Sequence, residues 1–379
     1  MTPTVSFIVP CYKLAHLLSE CVRSILSQTY EDFEILIMDD CSPDNTQQVA
    51  RSFQDPRVKY IRNDPNLGHL RNYNKGISLA AGEYLWLISA DDRLRQDYAL
   101  EKYVRTMEAH PEVGYVCCNG VGIENGQEMG LVQWSRNGEK DWIRDGRDFL
   151  GKLVHANSVL APSGMVRRKC YEKVSVFPLD LPYAGDWYLW CVFALHHDIA
   201  YISEPLVNYR LHGLSMTNRL TRRQRVADNL AVRWCVKRLA HEAGYDLVVR
   251  HCLDSLANHY AYCITADKFQ IDDYSMTFEE FEESLRHNAG SVKEARKLRA
   301  SVFAGVGDGF YSRGQIKNAQ QYYAAGLKFD FWSPDIWLKH GLLRMGKVGS
   351  LLRQGFSSRN EAPADKGLVP ASGSDTERL

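Results

Sequence analysis

No stretch of this 379-residue chain approaches the roughly 20 consecutive apolar residues that a membrane-spanning helix needs. The opening run, MTPTVSFIVPCY, is too short and too lacking in a basic lead to read as a secretory signal, so a soluble chain made in the cytoplasm is expected. Neither sign of charge predominates: 46 Lys and Arg stand against 46 Asp and Glu, which excludes a nucleic-acid partner held by bulk charge. The ten cysteines (Cys11, Cys21, Cys41, Cys117, Cys118, Cys170, Cys191, Cys235, Cys252 and Cys263) include no CxxC pair. Most lie in apolar periodic segments, so reduced, buried thiols are expected rather than bridges or a zinc site. The first strand-like run is not followed by GxGxxG, and GxxxxGK[ST] occurs nowhere. Both glycine-rich phosphate cradles are thereby excluded, and any diphosphate falls to side chains and metal.

What is present alternates. Val5–Val9 is a short, nearly all-apolar run of the kind covered on both faces, and Phe33–Met38, Val58–Ile61 and Glu83–Ile88 read as further strands. Between them lie helical patterns: Leu18, Val22 and Ile25, then a segment opening at Ser42-Pro43 or Asp44, then Leu70–Ala81. Strand and helix in this alternation predict a doubly wound, mostly parallel, Rossmann-like α/β sheet. Ligands of such sheets sit beyond the carboxyl ends of the strands, where strand order reverses. The polar residues fall there: Pro10 and Tyr12, then Asp39 and Asp40, then Ser89 to Asp92.

The last of these, in EYLWLISADDR, sets two adjacent carboxylates at the mouth of a hydrophobic strand. A helix N-terminus accounts for one acid. A divalent cation carrying a diphosphate accounts for both. A fifth apolar segment, Val113–Cys118, leads into a polar, glycine-containing stretch, 119–148, read as loops or short strands over the crevice, with Trp134 and Trp142 interspersed.

The runs VSFIVPCYK, EILIMDDCSPDNT and NLGHLRNYNKGISLAAGEYLWLISADD together resemble the nucleotide-sugar half of the family 2 glycosyltransferases, which have the GT-A fold. Members of that family show V-P-x-Y-N, D-D-G-S-x-D-x-T, N-x-G-x-x-x-A-R-N and D-x-D-D in this order. Lys13, Cys41 and Ser89 depart from the pattern. The resemblance implies that Pro10, Tyr12 and Asp40 line the base and ribose pocket, with Ser89 beside the ribose. It matches Arg71 to the motif's Arg, reaching base or diphosphate. Asp91 would ligate Mn²⁺ or Mg²⁺, and Asp92 would bond the donor sugar.

Further on, Gly185-Asp186-Trp187-Tyr188-Leu189-Trp190 is similar to the family's E-D-W-D-L-W, whose Asp is the catalytic base; Gly185 replaces its Glu. Read from the residues alone, Asp186 is a carboxylate at a helix N-terminus. The segment 204–215 is similar to the family's L-x-x-Y-R-x-H-x-x-S. It implies Arg210, His212 and Ser215 near the diphosphate, with His212 also a candidate metal ligand. These matches imply an inverting, metal-dependent transfer from a nucleotide sugar, UDP-linked as the first guess, to a glycan, lipid-linked or protein acceptor in cell-envelope polysaccharide synthesis. The missing acids at 89 and 185 leave a second reading open, a binding or scaffold protein of the same fold. A nucleotidyltransferase is disfavoured because Cys11-Tyr12-Lys13-Leu14 is not a glycine-rich, basic loop.

From 219 to 356 the apolar spacing is helical throughout, predicting an all-helical C-terminal domain with one tetratricopeptide-like unit around Gly314. That domain is open to a protein partner. The run 336–356 carries only basic charge and reads as a helix packed on that domain or resting on an anionic membrane surface. The last residues, 357–379, read as a disordered tail.

Overall fold

The computed structural model describes residues 2–174, 176–213, 219–270 and 275–344. The chain divides into two compact units, Met1–Phe281 and Glu282–Leu379. The first opens with β1 (Val5–Cys11), α1 (Ala15–Leu26), β2 (Phe33–Asp39), α2 (Thr46–Arg51), β3 (Val58–Arg62), α3 (His69–Leu79) and β4 (Tyr84–Leu87). It continues through β5 (Arg93–Leu94), α4 (Ala99–Ala109), β6 (Val113–Glu124), β7 (Gln127–Leu131), β8 (Trp142–Arg144) and α5 (Gly146–Leu153). Then come β9 (Met165–Arg167), α6 (Arg168–Val174), α7 (Gly185–His196), β10 (Asp198–Arg210), α8 (Arg222–Glu242) and α9 (Asp246–Phe269).

Ten strands form one sheet in the order β3-β2-β1-β4-β9-β6-β10-β5, with β7 on β6 and β8 on β10. β1 pairs in parallel with both β2 and β4, and β2 with β3, so strand order reverses beside β1 as the alternating pattern requires. β9 runs antiparallel between β4 and β6, making the sheet mixed at its centre. Side chains alternate across it. Phe7, Val9, Ile35, Ile37 and Trp86 pack on one face with Leu18, Val22 and Tyr103 of α1 and α4. Ile8, Leu36, Met38 and Leu85 pack on the other with Leu70 and Ile77 of α3 and with Trp187 and Trp190 of α7. Both faces being covered, β1 and β2 are buried at every position.

Of the two readings of region 119–148, loops or short strands, the structure has short strands, β7 and β8, in addition to the end of β6. β6 continues to Glu124 and turns at Asn125 and Gly126, both at positive φ (50° and 82°), into the antiparallel β7. An Asn-Gly pair suits that two-residue turn because both central residues must adopt left-handed backbone. All ten cysteines are free; eight are buried, and Cys41 and Cys235 are half-buried.

The helices after 218 do not stand apart as a group. Val232, Val236 and Ala240 of α8 and Val248 and Cys252 of α9 belong to the same apolar cluster as Trp187, Leu189 and Trp190. α10 (Phe278–Asn288) crosses the division between the units. The second unit then holds α11 (Val292–Ser312), α12 (Ile316–Phe329) and α13 (Pro334–Arg344). In it, α11 and α12 are joined by a tight turn at Gly314 (φ 74°). Lys339 of the expected basic helix is engaged by Asp308 at 3.0 Å and Asp335 at 2.8 Å, while Phe331, Trp332, Trp337 and Leu338 are exposed. The remainder of that basic run and the expected tail lie outside the described residues. No described helix is long and apolar enough to cross a membrane.

Candidate functional site

The crevice is assembled from three strand ends stitched together by main-chain bonds. Ile88 N donates to Ile8 O at 3.0 Å and Ala90 N to Pro10 O at 3.1 Å, which lays Ser89 to Asp92 alongside Pro10 and Tyr12. Asp40 N donates to Cys11 O at 3.0 Å, bringing the end of β2 to the same place. Pro10 is buried; Tyr12 and Ser89 are half-buried, and Lys13 holds its ammonium 5.1 Å from the Tyr12 ring centre.

Asp40 is buried and fully engaged. Its Oδ1 accepts from Asn63 Nδ2 (2.9 Å) and Leu67 N (2.8 Å), and its Oδ2 from Gly68 N (2.9 Å). It therefore shapes the turn that launches α3. Asp39, which the motif pairs with it, accepts from Ser42 N, Tyr60 Oη and Arg62. Both acids of this pair are spent on bonds within the protein that hold the ends of β2 and β3 and the start of α3 together.

The second acid pair is different. Asp91 Oδ2 meets His212 Nε2 at 2.8 Å, whereas its buried Oδ1 has no hydrogen-bond partner among the described residues. Burial works to raise the Asp91 carboxyl, yet the His212 contact holds it below its ordinary value. Asp92 is buried and accepts from Arg210 N at 2.9 Å. Burial first, and then the neighbouring Asp91 charge, push it well above the usual carboxylate range. Two adjacent acids are thus set apart, one favoured ionised and one favoured protonated.

Arg210 does not extend into open space. Its Nε donates to Asp91 O (2.8 Å) and its Nη2 to Glu20 Oε2 (2.6 Å), and Glu20 also pairs with Arg93 (2.5 Å). The guanidinium fastens the Asp91–Asp92 turn to α1, and Glu20 is a participant that motif matching did not single out. Ser215 lies outside the described residues.

Asp186 is the first-turn acid of α7 and half-buried. Its Oδ1 accepts from Trp187 N (2.6 Å) and its Oδ2 from Asn157 Nδ2 (3.3 Å). Burial pushes its carboxyl up to about 6, against the opposing effect of those two donors. A Cβ at Gly185 would come within 3.3 Å of Phe177 Cδ1 and 3.5 Å of Leu70 Cδ2, so the chain packs an apolar wedge where the resembling family carries a Glu.

Arg71 is exposed on the first turn of α3 and makes no side-chain hydrogen bond among the described residues. Counted from Gly68, the motif's Arg falls five residues on, at Tyr73. Burial first, and then the charges of Asp91, Asp186, Asp92 and Asp40, raise the Tyr73 hydroxyl. The Tyr209 hydroxyl is raised in the same way, by burial and then by Asp92, Asp91 and Asp186. The two phenols mark where donor-side acids and Asp186 converge. Correct counting of the motif finds Tyr73, whereas Tyr209 stands inside the quoted closing segment and carried no charge to draw notice.

The family model described as Glycosyl transferase family 2 matches residues 6–173. An uncharacterised glycosyltransferase of Haemophilus influenzae is 29% identical over 218 residues, covering 56% of this chain and 66% of its own length. An uncharacterised protein of Mycobacterium tuberculosis is 37% identical over 244 residues, covering 62% of this chain and 76% of its own. The Streptococcus pneumoniae glycosyltransferase GlyG is 35% identical over 115 residues, and the chain spans only 38% of its length. Among solved structures, S. aureus TarS 1–349 is similar with a TM-score of 0.58 at 18% identity, covering 93% of this chain and 92% of that one. The same TarS segment in complex with UDP-GlcNAc gives 0.56 at 16%. Likeness at this identity shows the fold, including the helical region after the sheet.

Proposed function

Because the chain belongs to glycosyl transferase family 2 through its residues 6–173, we propose that it moves a sugar from a nucleoside diphosphate sugar to an acceptor hydroxyl with inversion. A UDP-sugar is the first donor to try, a choice supported by the TarS neighbour's complex with UDP-GlcNAc. The acceptor belongs to a glycan, a lipid-linked glycan or a protein.

The observation that carries the reading is the setting of Asp186. An acceptor hydroxyl is a weak nucleophile, so a carboxylate must take its proton as the oxygen attacks the anomeric carbon. A carboxyl raised to about 6 is ionised at neutral pH yet more basic than an ordinary one, which suits it to that proton. The acceptor oxygen forms the new bond while the bond to the diphosphate breaks, and the diphosphate leaves with the electron pair. One displacement from the face opposite the leaving group inverts the centre. Asp92, favoured protonated, offers a donor or acceptor to the sugar hydroxyls.

The residues present fit a divalent cation. Asp91 offers a carboxylate with one buried oxygen that has no hydrogen-bond partner among the described residues, and His212 stands at 2.8 Å from the other. No cluster of three or more His, Cys, Asp or Glu capable of holding a metal occurs among the described residues. Mn²⁺ or Mg²⁺ bound through one or two protein ligands and phosphate oxygens is consistent with that sparse set. Asp91 and His212 would hold the ion, which would offset charge on the departing diphosphate.

Asp186→Asn is expected to lower transfer at least 10³-fold, the proton acceptor being removed, while UDP affinity measured by calorimetry stays within twofold. Persistent transfer by Asp186→Asn removes it as the base. Titration with UDP, GDP and dTDP, each with and without Mn²⁺, is expected to show one nucleotide bound in a metal-dependent way. Asp91→Ala is expected to weaken that binding at least tenfold, and unchanged affinity would take Asp91 out of the metal site.

A further inference from the structure

α8 carries two buried charges whose bonds run toward Asp186 from opposite sides. Asp228, 6% exposed, sits beneath the strap 176–184 that delivers the first turn of α7. Its Oδ2 accepts from Tyr183 N at 2.6 Å and Ala184 N at 3.3 Å. The strap's other edge is held by α3: Asn74 and Phe177 exchange two bonds of 2.9 Å, and His69 Nε2 lies 3.0 Å from Pro182 O. Asp228 thus completes a two-sided grip on the segment that ends at Asp186.

Arg233, 4% exposed, lies one turn and a half further along α8. Its guanidinium donates to His155 O (2.7 Å), Ser255 Oγ (2.7 Å) and Asn229 O (2.6 Å). Ser255 Oγ in turn donates to Val154 O at 2.9 Å. Two directional bonds, one from Arg233 itself and one relayed through Ser255, therefore fix the 154–157 turn, whose Asn157 bonds Asp186. The guanidinium also lies 4.7 Å from the centre of the Trp187 ring, next to Asp186 in the chain. All three acceptors are neutral oxygens, so this buried cation is held by geometry rather than by a counter-charge, a costly arrangement unless each donor is satisfied.

We propose that Asp228 and Arg233 are positioning residues for Asp186, making α8 part of the transfer site. The proposal rests on the reading of Asp186 as the base for its importance, but its test does not. Around Asp186 the facing groups are Asn157, the Trp187 amide and the protonated hydroxyls of Tyr73 and Tyr209, with the uncharged Cys191 thiol on its own helix.

The full chain is labelled with [4-¹³C]aspartate, and the resonance missing from Asp186→Asn is followed from pH 4.5 to 8.5. Asn157→Ala, which removes a donor to the carboxylate, is expected to move the midpoint upward. Arg233→Lys and Asp228→Asn are expected to move it upward by at least half a pH unit, with UDP affinity within twofold of wild type. The signs are diagnostic. Arg233→Lys keeps the charge, so electrostatics alone predicts no movement; Asp228→Asn removes a negative charge, so electrostatics alone predicts a downward one. Folded variants with an unmoved or lowered midpoint overturn the proposal. If Arg233→Lys does not fold, Asp228→Asn, of equal size, decides it alone. The base reading fails separately, through transfer by Asp186→Asn.

Discussion

If Asp186 is the proposed base, a single side chain ties activity to stability with opposite signs. Its folded-state value, raised to about 6, exceeds that of the unfolded chain. The stability linked to this group is fully present below the unfolded value, near pH 4, and is lost as pH rises through about 6. Above that, the folded chain holds an ionised, half-buried carboxylate at a cost of about 1–3 kcal/mol. Asp186→Asn is therefore expected to raise the melting temperature at pH 8 by a few degrees and to lose most of that advantage at pH 4.5. Transfer by the wild-type chain is expected to fall tenfold per pH unit below about 6, read from a rate profile at saturating donor. Gly185→Glu is expected to cost about 1–3 kcal/mol, because Phe177 must yield to the new Cβ. The place of Asp186 in the first turn of a helix was legible, because an acid before an apolar Trp-x-x-Trp segment is a local pattern. The commitment of Arg210 to Glu20 was not, because 190 residues separate the pair in the chain.

Among the elements, α3 shows what close packing asks of a sequence. A Cβ at Gly76 would stand 2.5 Å from Ile8 Cγ2 and 3.2 Å from Met38 Cγ, so the helix rests directly on β1 and β2. Gly76→Ala is expected to destabilise the chain by about 1–3 kcal/mol, seen as a lower urea midpoint with an unchanged slope. β1, β2 and β4 were readable because both faces of each are covered or nearly so, leaving continuous apolar runs, whereas β3, at the end of the strand order, holds no buried residue and sets Lys59 between Val58 and Tyr60. Within 119–148 loops and short strands could not be told apart from sequence, because the residues of β7 are exposed throughout. The Asn125-Gly126 pair was the local mark of the β6–β7 turn.

For the molecule as a whole, the change of composition after 218 records where sheet gives way to helix. It does not record where one packed body ends, because helical spacing reveals that α8 has an apolar face without revealing what covers it. Val232 and Val236 lie against the α7 tryptophans, and the first compact unit runs to Phe281. A chain ending at 218 is expected to aggregate, and one ending at 288 to melt cooperatively, as followed by circular dichroism and light scattering. The inventory of thiols has a practical consequence. Eight of ten are sealed, and burial raises several, Cys11 and Cys252 to about 12, far from the thiolate that electrophiles need. Cys41, half-buried directly after Asp40 and 3.8 Å from Arg62 Nη2, is the thiol a maleimide should meet first. The native chain thus comes with an attachment point for a fluorophore beside Asp40, where the nucleotide binding proposed above can be watched without engineering a cysteine.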